Sequence, residues 1–469
     1  VTAPAISPAR TVALRHVERQ ASRYPEFALG PPDTEGLDPR DAALTHALCD
    51  ACVRRFLTLE TVIHAFLRTR LDRSPPSVQS ALLVGAAQLL FFDRIPAHAA
   101  IDESVEYAKS RAPRASGLVN AVLRNLAREA PDPPSPADPH DPDPCLIPLG
   151  DGRARRTTKA LLPEHDPARL AAACSLPLPL LRRWADLFGR ERATDLALHT
   201  LVVPPVIVNA RSSRTPPPSP EFIPHAQQGM YVWTGPGRDL AGALSSLEGS
   251  WVQDPASAAP VEMARAGLDP ARVRTIIDLC AGQGTKTRQL ATAFPEARII
   301  ATDLDDERRR ELARVARQYP SITVVDPDQV HPIRFRADLV LLDVPCSNSA
   351  VLPRRPEAKY RWSEEQLGRL VAIQREILEL GMDLCTEDGS LLYATCSLDP
   401  EENEMQTEWC QSRGWVFDRD ERRPPSGLPG EGPAGYSDGS YGVLLHRRRD
   451  GGYTPPHRGR HPQARSQTE

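Results

Sequence analysis

VRTIIDLCAGQGTKTRQLATAFPEARIIATDLDDERRR, residues 273–310, holds two short apolar runs, each closing on an aspartate, with a glycine-containing turn and a helical stretch between them. Apolar runs of this length without polar alternation suit strands covered on both faces, and strands that alternate with helices make a parallel sheet. The pattern repeats downstream: SITVVD, ADLVLLDVPC and GSLLYATC are further runs, separated by segments such as EEQLGRLVAIQREILELGMDLC. Residues 248–448 are therefore expected to form an α/β domain with a mostly parallel, Rossmann-like sheet. Ligands of such sheets sit beyond the carboxyl ends of the strands. Asp278, Asp303, Asp343, Cys346 and Cys396 each close or follow a run.

Outward from this core the organisation changes. Residues 8–130 repeat apolar positions at three- and four-residue spacing, as in DAALTHALCDACVRRFLTLETVIHAFL, and predict an all-helical domain. In EAPDPPSPADPHDPDP, residues 129–144, proline and aspartate alternate, so 131–166 reads as a linker or surface excursion in which no core can form. Residues 167–247 read as a helical connector with a reduced small subdomain. The last stretch, 449–469, lacks periodicity and is expected to be a disordered tail.

Composition bounds the function. A chain of 469 residues is too long for one ordinary core and implies two or three domains. No apolar stretch is long enough for a membrane span, and VTAPAISPARTVALRHVERQ lacks the pattern of a secretory signal, so no membrane partner and a cytoplasmic location are expected. Nine scattered cysteines do not resemble a disulfide framework. With a net charge of −4 there is no global basic field, and a polyanion would have to be held locally. The basic residues are almost all arginine; only Lys109, Lys159, Lys286 and Lys359 are lysine, which marks those positions as ones where a compact ammonium is wanted.

The turn Asp278-Leu-Cys280-Ala281-Gly282-Gln283-Gly284-Thr285-Lys286 would let a ligand approach the backbone, and Asp303 at the end of the next run could accept hydrogen bonds from ribose hydroxyls. Dinucleotides and S-adenosylmethionine both fit that arrangement. The third glycine of the dinucleotide fingerprint is missing, which favours S-adenosylmethionine.

Asp343-Val-Pro-Cys346 and Thr395-Cys396 end successive runs, so on neighbouring strands both thiols would face one substrate. Carbon-5 of a pyrimidine is too poor a nucleophile to take a methyl group unaided. A thiolate adding to carbon-6 converts it into an enamine, an acid near N3 manages the charge, and a second thiol could remove the carbon-5 proton or expel the enzyme. Asp343 suits the acid, and Lys286 could hold it and favour thiolate.

DLCAGQGTKT, ATDLDDERRR, LVLLDVPCSNSAVLPRRPEAKYRW and YATCSLDPEENE, in this order, resemble the RNA cytosine-5 methyltransferases of the NOL/NOP/Sun type. IPAHAAIDESVEYAKSRAPRASGLVNAVLRNLARE, residues 95–129, resembles the NusB-like domain of the RsmB-like members. The resemblance implies an S-adenosylmethionine-dependent enzyme acting on RNA, expected to be small-subunit rRNA; a monomer is expected. It implies Cys396 as nucleophile, Cys346 as the residue that releases the methylated base, Asp343 as the base-contacting acid and Lys286 as the motif lysine. Asp278 through Lys286, Asp303, Asp343 and, near the adenine, Asp326 would form the cofactor pocket. The family pattern AAPGGKT is Ala281-Gly-Gln-Gly-Thr-Lys-Thr287 here, and the usual Ser-Gly-Thr-Gly turn is Ser347-Asn-Ser-Ala350. A noncatalytic RNA-binding or assembly protein on the same fold, or an enzyme acting on tRNA or DNA, are the rival readings.

Arg354, Arg355, Lys359, Tyr360 and Arg361 follow the Cys346 turn; arginine interleaved with aromatics suits phosphate contact and base stacking, and these are the expected RNA contacts. His46, Cys49 and Cys52 are spaced as residues of one helix and have no second ligand pair nearby, so no metal is expected.

Overall fold

The computed structural model describes residues 6–27, 30–217, 219–330 and 336–447. The expected tail at 449–469 lies outside them.

Six helices form the first unit: α1 (Pro8–Ala21), α2 (Pro39–Arg54), α3 (Phe56–His64), α4 (Pro76–Phe91), α5 (Ala97–Arg111) and α6 (Ser116–Glu129). Prolines in the first turn start α1, α2 and α4, where a missing N–H leaves no bond unmade. Asp38 caps α2 by accepting from the Arg40 and Asp41 amides. From Ser77 to Leu90, α4 is buried on every side, and the other helices of the unit pack around it. It is the one helix of the six that is apolar all round, as a central helix must be. Cys49 and Cys52 are buried in this core from α2, while His46 is exposed.

The stretch expected to be a linker differs in its second half. Its Pro/Asp run is mostly exposed, but β1 (Ser135–Pro136), β2 (Leu146–Pro148) and β3 (Arg153–Arg156) make an antiparallel sheet of order β1-β3-β2. Ile147, Leu161 and Leu162 join the helical core, and the Arg155 guanidinium donates to the Leu90 carbonyl at 3.1 Å. A few apolar residues after the proline run suffice to dock it.

Helices α7 (Ala168–Cys174), α8 (Leu178–Phe188) and α9 (Arg190–His199) follow, packed around Trp184. Then β4 (Val206–Asn209), β5 (Phe222–Pro224), β6 (Met230–Trp233) and β7 (Trp251–Val252) form an antiparallel sheet of order β5-β6-β4-β7, with α10 (Leu240–Ser245) between its last two strands. Because β7 pairs with β4, the small subdomain runs past residue 248 before the α/β domain begins.

That domain starts with α11 (Pro255–Gly267). Its strands are β8 (Thr275–Asp278), β9 (Arg298–Ala301), β10 (Ile322–Val324), β11 (Ala337–Asp343), β12 (Cys385–Thr395), β13 (Trp415–Arg423) and β14 (Ser440–Arg447), in the order β10-β9-β8-β11-β12-β14-β13. The first five are parallel, as the apolar runs required, and the β13–β14 hairpin adds two antiparallel strands. Helices α12 (Thr285–Ala293), α13 (Asp306–Ala316), α14 (Ala358–Arg361), α15 (Glu364–Leu384) and α16 (Glu404–Gln411) connect them. Successive strand residues feed opposite faces: Ile277, Val340, Leu342 and Leu391 lie in one core, Ile276, Leu339, Leu341 and Leu392 in the other. The strand order reverses between β8 and β11, so the crevice at their carboxyl ends is where a ligand fits. Among the described residues no helix is long and apolar enough to cross a membrane.

The helical unit is fastened to the α/β domain through α14, which corrects the expectation for two residues there. Tyr360 is buried in the helical core, its ring 5.3 Å from that of Phe27 and 6.2 Å from that of Phe56, and its hydroxyl donates to the Val53 carbonyl at 2.7 Å. Lys359 is 1% exposed; its ammonium donates to the Arg54 carbonyl at 2.8 Å, and burial, with Arg54 and Arg55 beside it, pushes its pKa well down. Neither residue can meet RNA, because α14 carries both side chains inward. Arg354 is likewise engaged, in ion pairs with Asp254 and Asp438. Of the five, Arg355 is exposed and Arg361 half-buried beside Glu357.

Candidate active site

Asp278 ends β8, and the chain turns through Leu279–Gly284 into α12. Gly282 (φ +55°) and Gly284 (φ +87°) take left-handed conformations that a side chain would strain. Asp303 closes over it: one carboxylate oxygen accepts from the Gly282 amide at 2.9 Å, the other from the Asp305 amide at 3.0 Å. Asp278 is fully buried, with one oxygen accepting from the Thr287 hydroxyl at 2.7 Å and the other without a partner among the described residues. Burial, partly offset by the Thr287 bond, pushes its pKa up to about 7. A buried acceptor left unpaired costs about 1–3 kcal/mol, which a donor on a ligand in the turn would relieve. Cys280 is a thiol raised by burial, Ala281 is buried and Gln283 is exposed. Asp326 follows β10, exposed and 3.5 Å from Arg309.

The register of β11 against β12 sets Asp343 beside Ala394, and so brings the residues after each strand together. The Sγ atoms of Cys346 and Cys396 are 3.1 Å apart, and the Cys396 amide points at Cys346 Sγ at 3.4 Å. Cys346 is buried, while Cys396 is half-buried. The hydrogen bond that Cys346 donates to Cys396, then burial, then the charges of Cys396 and Glu402 raise the Cys346 pKa well above its ordinary value. Lys286, at the start of α12, reaches across to Asp343 with Nζ–Oδ2 at 2.7 Å. Burial opposes its charge, but Asp343, with Cys396 and Asp278 nearby, raises its pKa on balance.

The four residues expected to react are therefore assembled at one crevice, next to the turn expected to hold a cofactor. Asn348 was not foreseen. It occupies a left-handed conformation (φ +59°) where the family has glycine, its amide donates to the Cys346 carbonyl at 3.0 Å, and its carbonyl accepts from the Cys396 thiol at 3.2 Å. An asparagine in a glycine's place is the signal, since Asn is the side chain that best tolerates that backbone. Glu402, in Pro400–Asn403, has no sequence signal that sets it apart from a solvated acid.

A doubly wound sheet with an appended antiparallel hairpin, a glycine turn after its first strand and an acid ending the second define a methyltransferase of the Rossmann-like type. The family model for 16S rRNA methyltransferase RsmB/F matches residues 265–414, and that of the NusB family matches 9–128. The chain is 31% identical to ribosomal RNA small subunit methyltransferase B of Thermus thermophilus over 418 residues, 87% of this chain and 89% of that protein. It is 30% identical to the enzyme of the same name from Vibrio cholerae over 410 residues, 86% and 87% of the two chains. The chain belongs to this RsmB family of methyltransferases. The crystal structure of PH0851 shares its fold, with a TM-score of 0.66 over 94% of this chain and 99% of the other at 20% identity.

Proposed function

We propose that the protein uses S-adenosylmethionine to form 5-methylcytosine in small-subunit rRNA through a covalent adduct between Cys396 and carbon-6 of the base. The observation that carries this reading is the pair of thiols 3.1 Å apart at adjoining strand ends, beside the Lys286–Asp343 ion pair. The unpaired oxygen of Asp278 and the open space at Gly282, where an added Cβ would meet nothing within 4 Å, suit S-adenosylmethionine. Asp278 to Lys286, Asp303 and, at the rim, Asp326 would hold it. When bound, it supplies an electrophilic methyl group on a sulfonium.

The protein's own groups do the rest. Cys396 forms an Sγ–C6 bond while its proton passes, by way of Asp343, to N3 of the cytosine; carbon-5 becomes an enamine carbon able to accept a methyl group. Lys286 fixes the Asp343 carboxylate toward the base. Once Cys396 is a neutral thioether, the main cause holding Cys346 protonated is gone. Cys346 then loses its proton to solvent, takes the carbon-5 proton, and the Sγ–C6 bond breaks to return Cys396 as thiolate; N3 gives its proton back to Asp343. One proton is released per methyl transferred, as the charge of a sulfonium donor requires.

The base must leave any helix it sits in to reach the thiols. The helical unit 8–130, with exposed Arg355 and half-buried Arg361 on the α/β side, would supply RNA contacts. The test is methylation of unmodified 16S rRNA followed by nucleoside analysis: 5-methylcytosine from wild type and none from Cys396→Ala supports the reading, whereas product from Cys396→Ala overturns it.

A further inference from the structure

Behind the two thiols lies a buried polar cluster that the reaction above does not use. Glu402 is fully buried and makes no ion pair with lysine or arginine among the described residues. Its two carboxylate oxygens accept from the Ser347 amide at 3.0 and 3.2 Å, and one also accepts from the Gln374 amide at 2.8 Å. Gln374 in turn donates to the Pro345 carbonyl at 3.0 Å. Cys346 is thus gripped through the peptide group on each side of it. Tyr393 donates to the Glu402 carbonyl at 2.7 Å and so fixes the other end of the residue.

We propose that Glu402 is a positioning residue for Cys346: it holds the Cys346 turn at its distance from Cys396 and sets a buried carboxylate behind the thiol. A carboxylate there costs a good deal of solvation, since burial pushes the Glu402 pKa up, while the Ser347 and Gln374 donors work against that rise. A carboxyl needed for shape alone could be glutamine at no such cost. Its charge acts on the group in front of it: Glu402 is among the causes that raise the Cys346 pKa, after Cys396 and burial. The other ionisable groups around Cys346 are Tyr393 on β12 and Cys396 just after it, Asp399 in the following turn, and the Lys286–Asp343 pair at the crevice. When Cys396 becomes a thioether, its part of this field vanishes and that of Glu402 remains. Cys346 then ionises as a stronger base toward the carbon-5 proton than it would without Glu402. The inference rests on the reading of Cys346 as the group that takes that proton.

Two measurements separate this proposal from that reading. The first needs no RNA: iodoacetamide labelling of Cys346 and Cys396 across pH, read by peptide mass spectrometry, on wild type, Glu402→Gln and Glu402→Asp. The Cys346 midpoint is expected to move to lower pH in Glu402→Gln, raising its labelling about tenfold for each pH unit moved, and to stay near wild type in Glu402→Asp, which keeps the charge. The second follows the RNA adduct after a chase. Glu402→Asp is expected to release it about tenfold or more slowly, because its shorter chain lets go of the Ser347 amide, and Glu402→Gln to release it more slowly per ionised Cys346, the rate being divided by the thiolate fraction from the labelling curve, as the weaker base. An unmoved Cys346 midpoint in folded Glu402→Gln overturns the proposal, as does a wild-type release rate per ionised Cys346 in both variants. If wild type forms no adduct but the midpoint moves, the covalent reading fails and the action of Glu402 on Cys346 stands. If Glu402→Gln does not fold, Glu402→Asp decides, and its wild-type release rate would be the contrary result.

Discussion

Asp278→Asn should make the ligand-free protein relatively more stable at pH 8 than at pH 4. The Asp278 carboxyl is fully buried and its pKa is pushed from 3.8 up to about 7. Well below pH 3.8 both folded and unfolded chains carry it protonated, and it makes no pH-dependent contribution. Between about 4 and 7 the unfolded chain ionises and the folded one does not, so stability falls with rising pH; above 7 the loss is complete. At 1.36 kcal/mol per pH unit over about 3.2 units, it amounts to about 4 kcal/mol. Asparagine cannot titrate, and its amide beside the Thr287 hydroxyl costs the same at every pH. Urea unfolding of both proteins at pH 4, 6 and 8 isolates the effect, because the other titrating groups cancel in the difference. The stability of the variant relative to wild type should rise by about 4 kcal/mol from pH 4 to pH 8. A change below about 1 kcal/mol would show that Asp278 is not held neutral by its burial.

Lys286→Met leaves Asp343 without its cation; stability should fall by about 2 kcal/mol, less than for a fully buried pair because a third of Asp343 is exposed, and turnover by about 10²–10⁴-fold, read by urea unfolding and methyl transfer. Gly284→Ala forces a side chain into φ +87° and a Cβ to 2.9 Å from Leu312, costing about 1–3 kcal/mol and weakening cofactor binding in a calorimetric titration. Arg355→Ala should lower RNA affinity and reduce the salt slope by about one, whereas Lys359→Met should change neither. In wild type the depressed pKa of Lys359 makes its contribution to stability fall as pH drops below 10.5, until the folded amine itself protonates; Lys359→Met should flatten that limb of the pH–stability curve.

The strands that build the site were legible because their environment leaves little choice. A run such as LVLLD is covered by helices on both sides and can be only a buried strand, so β8 to β12 and the residues at their ends followed from apolar length alone. WVFDRDERR, by contrast, became β13, with most of its side chains exposed; an edge strand paired on one side gives no apolar run to read. The adjacency of Cys346 and Cys396 needed only neighbouring strands in register. What Lys359 and Tyr360 do could not be read locally, because they are buried by α2 and α3, some three hundred residues earlier in the chain. Glu402 was hidden for a similar reason: an acid in PEEN reads as solvated until the fold sets it behind the Ser347 amide.

The central claim is that Cys396 attacks and Cys346 releases. The direct measurement is denaturing electrophoresis of wild type, Cys346→Ala and Cys396→Ala after incubation with S-adenosylmethionine and unmodified 16S rRNA. A denaturation-resistant protein–RNA band should accumulate in Cys346→Ala and be absent from Cys396→Ala; a band in Cys396→Ala, or none in Cys346→Ala while wild type methylates, would contradict the account.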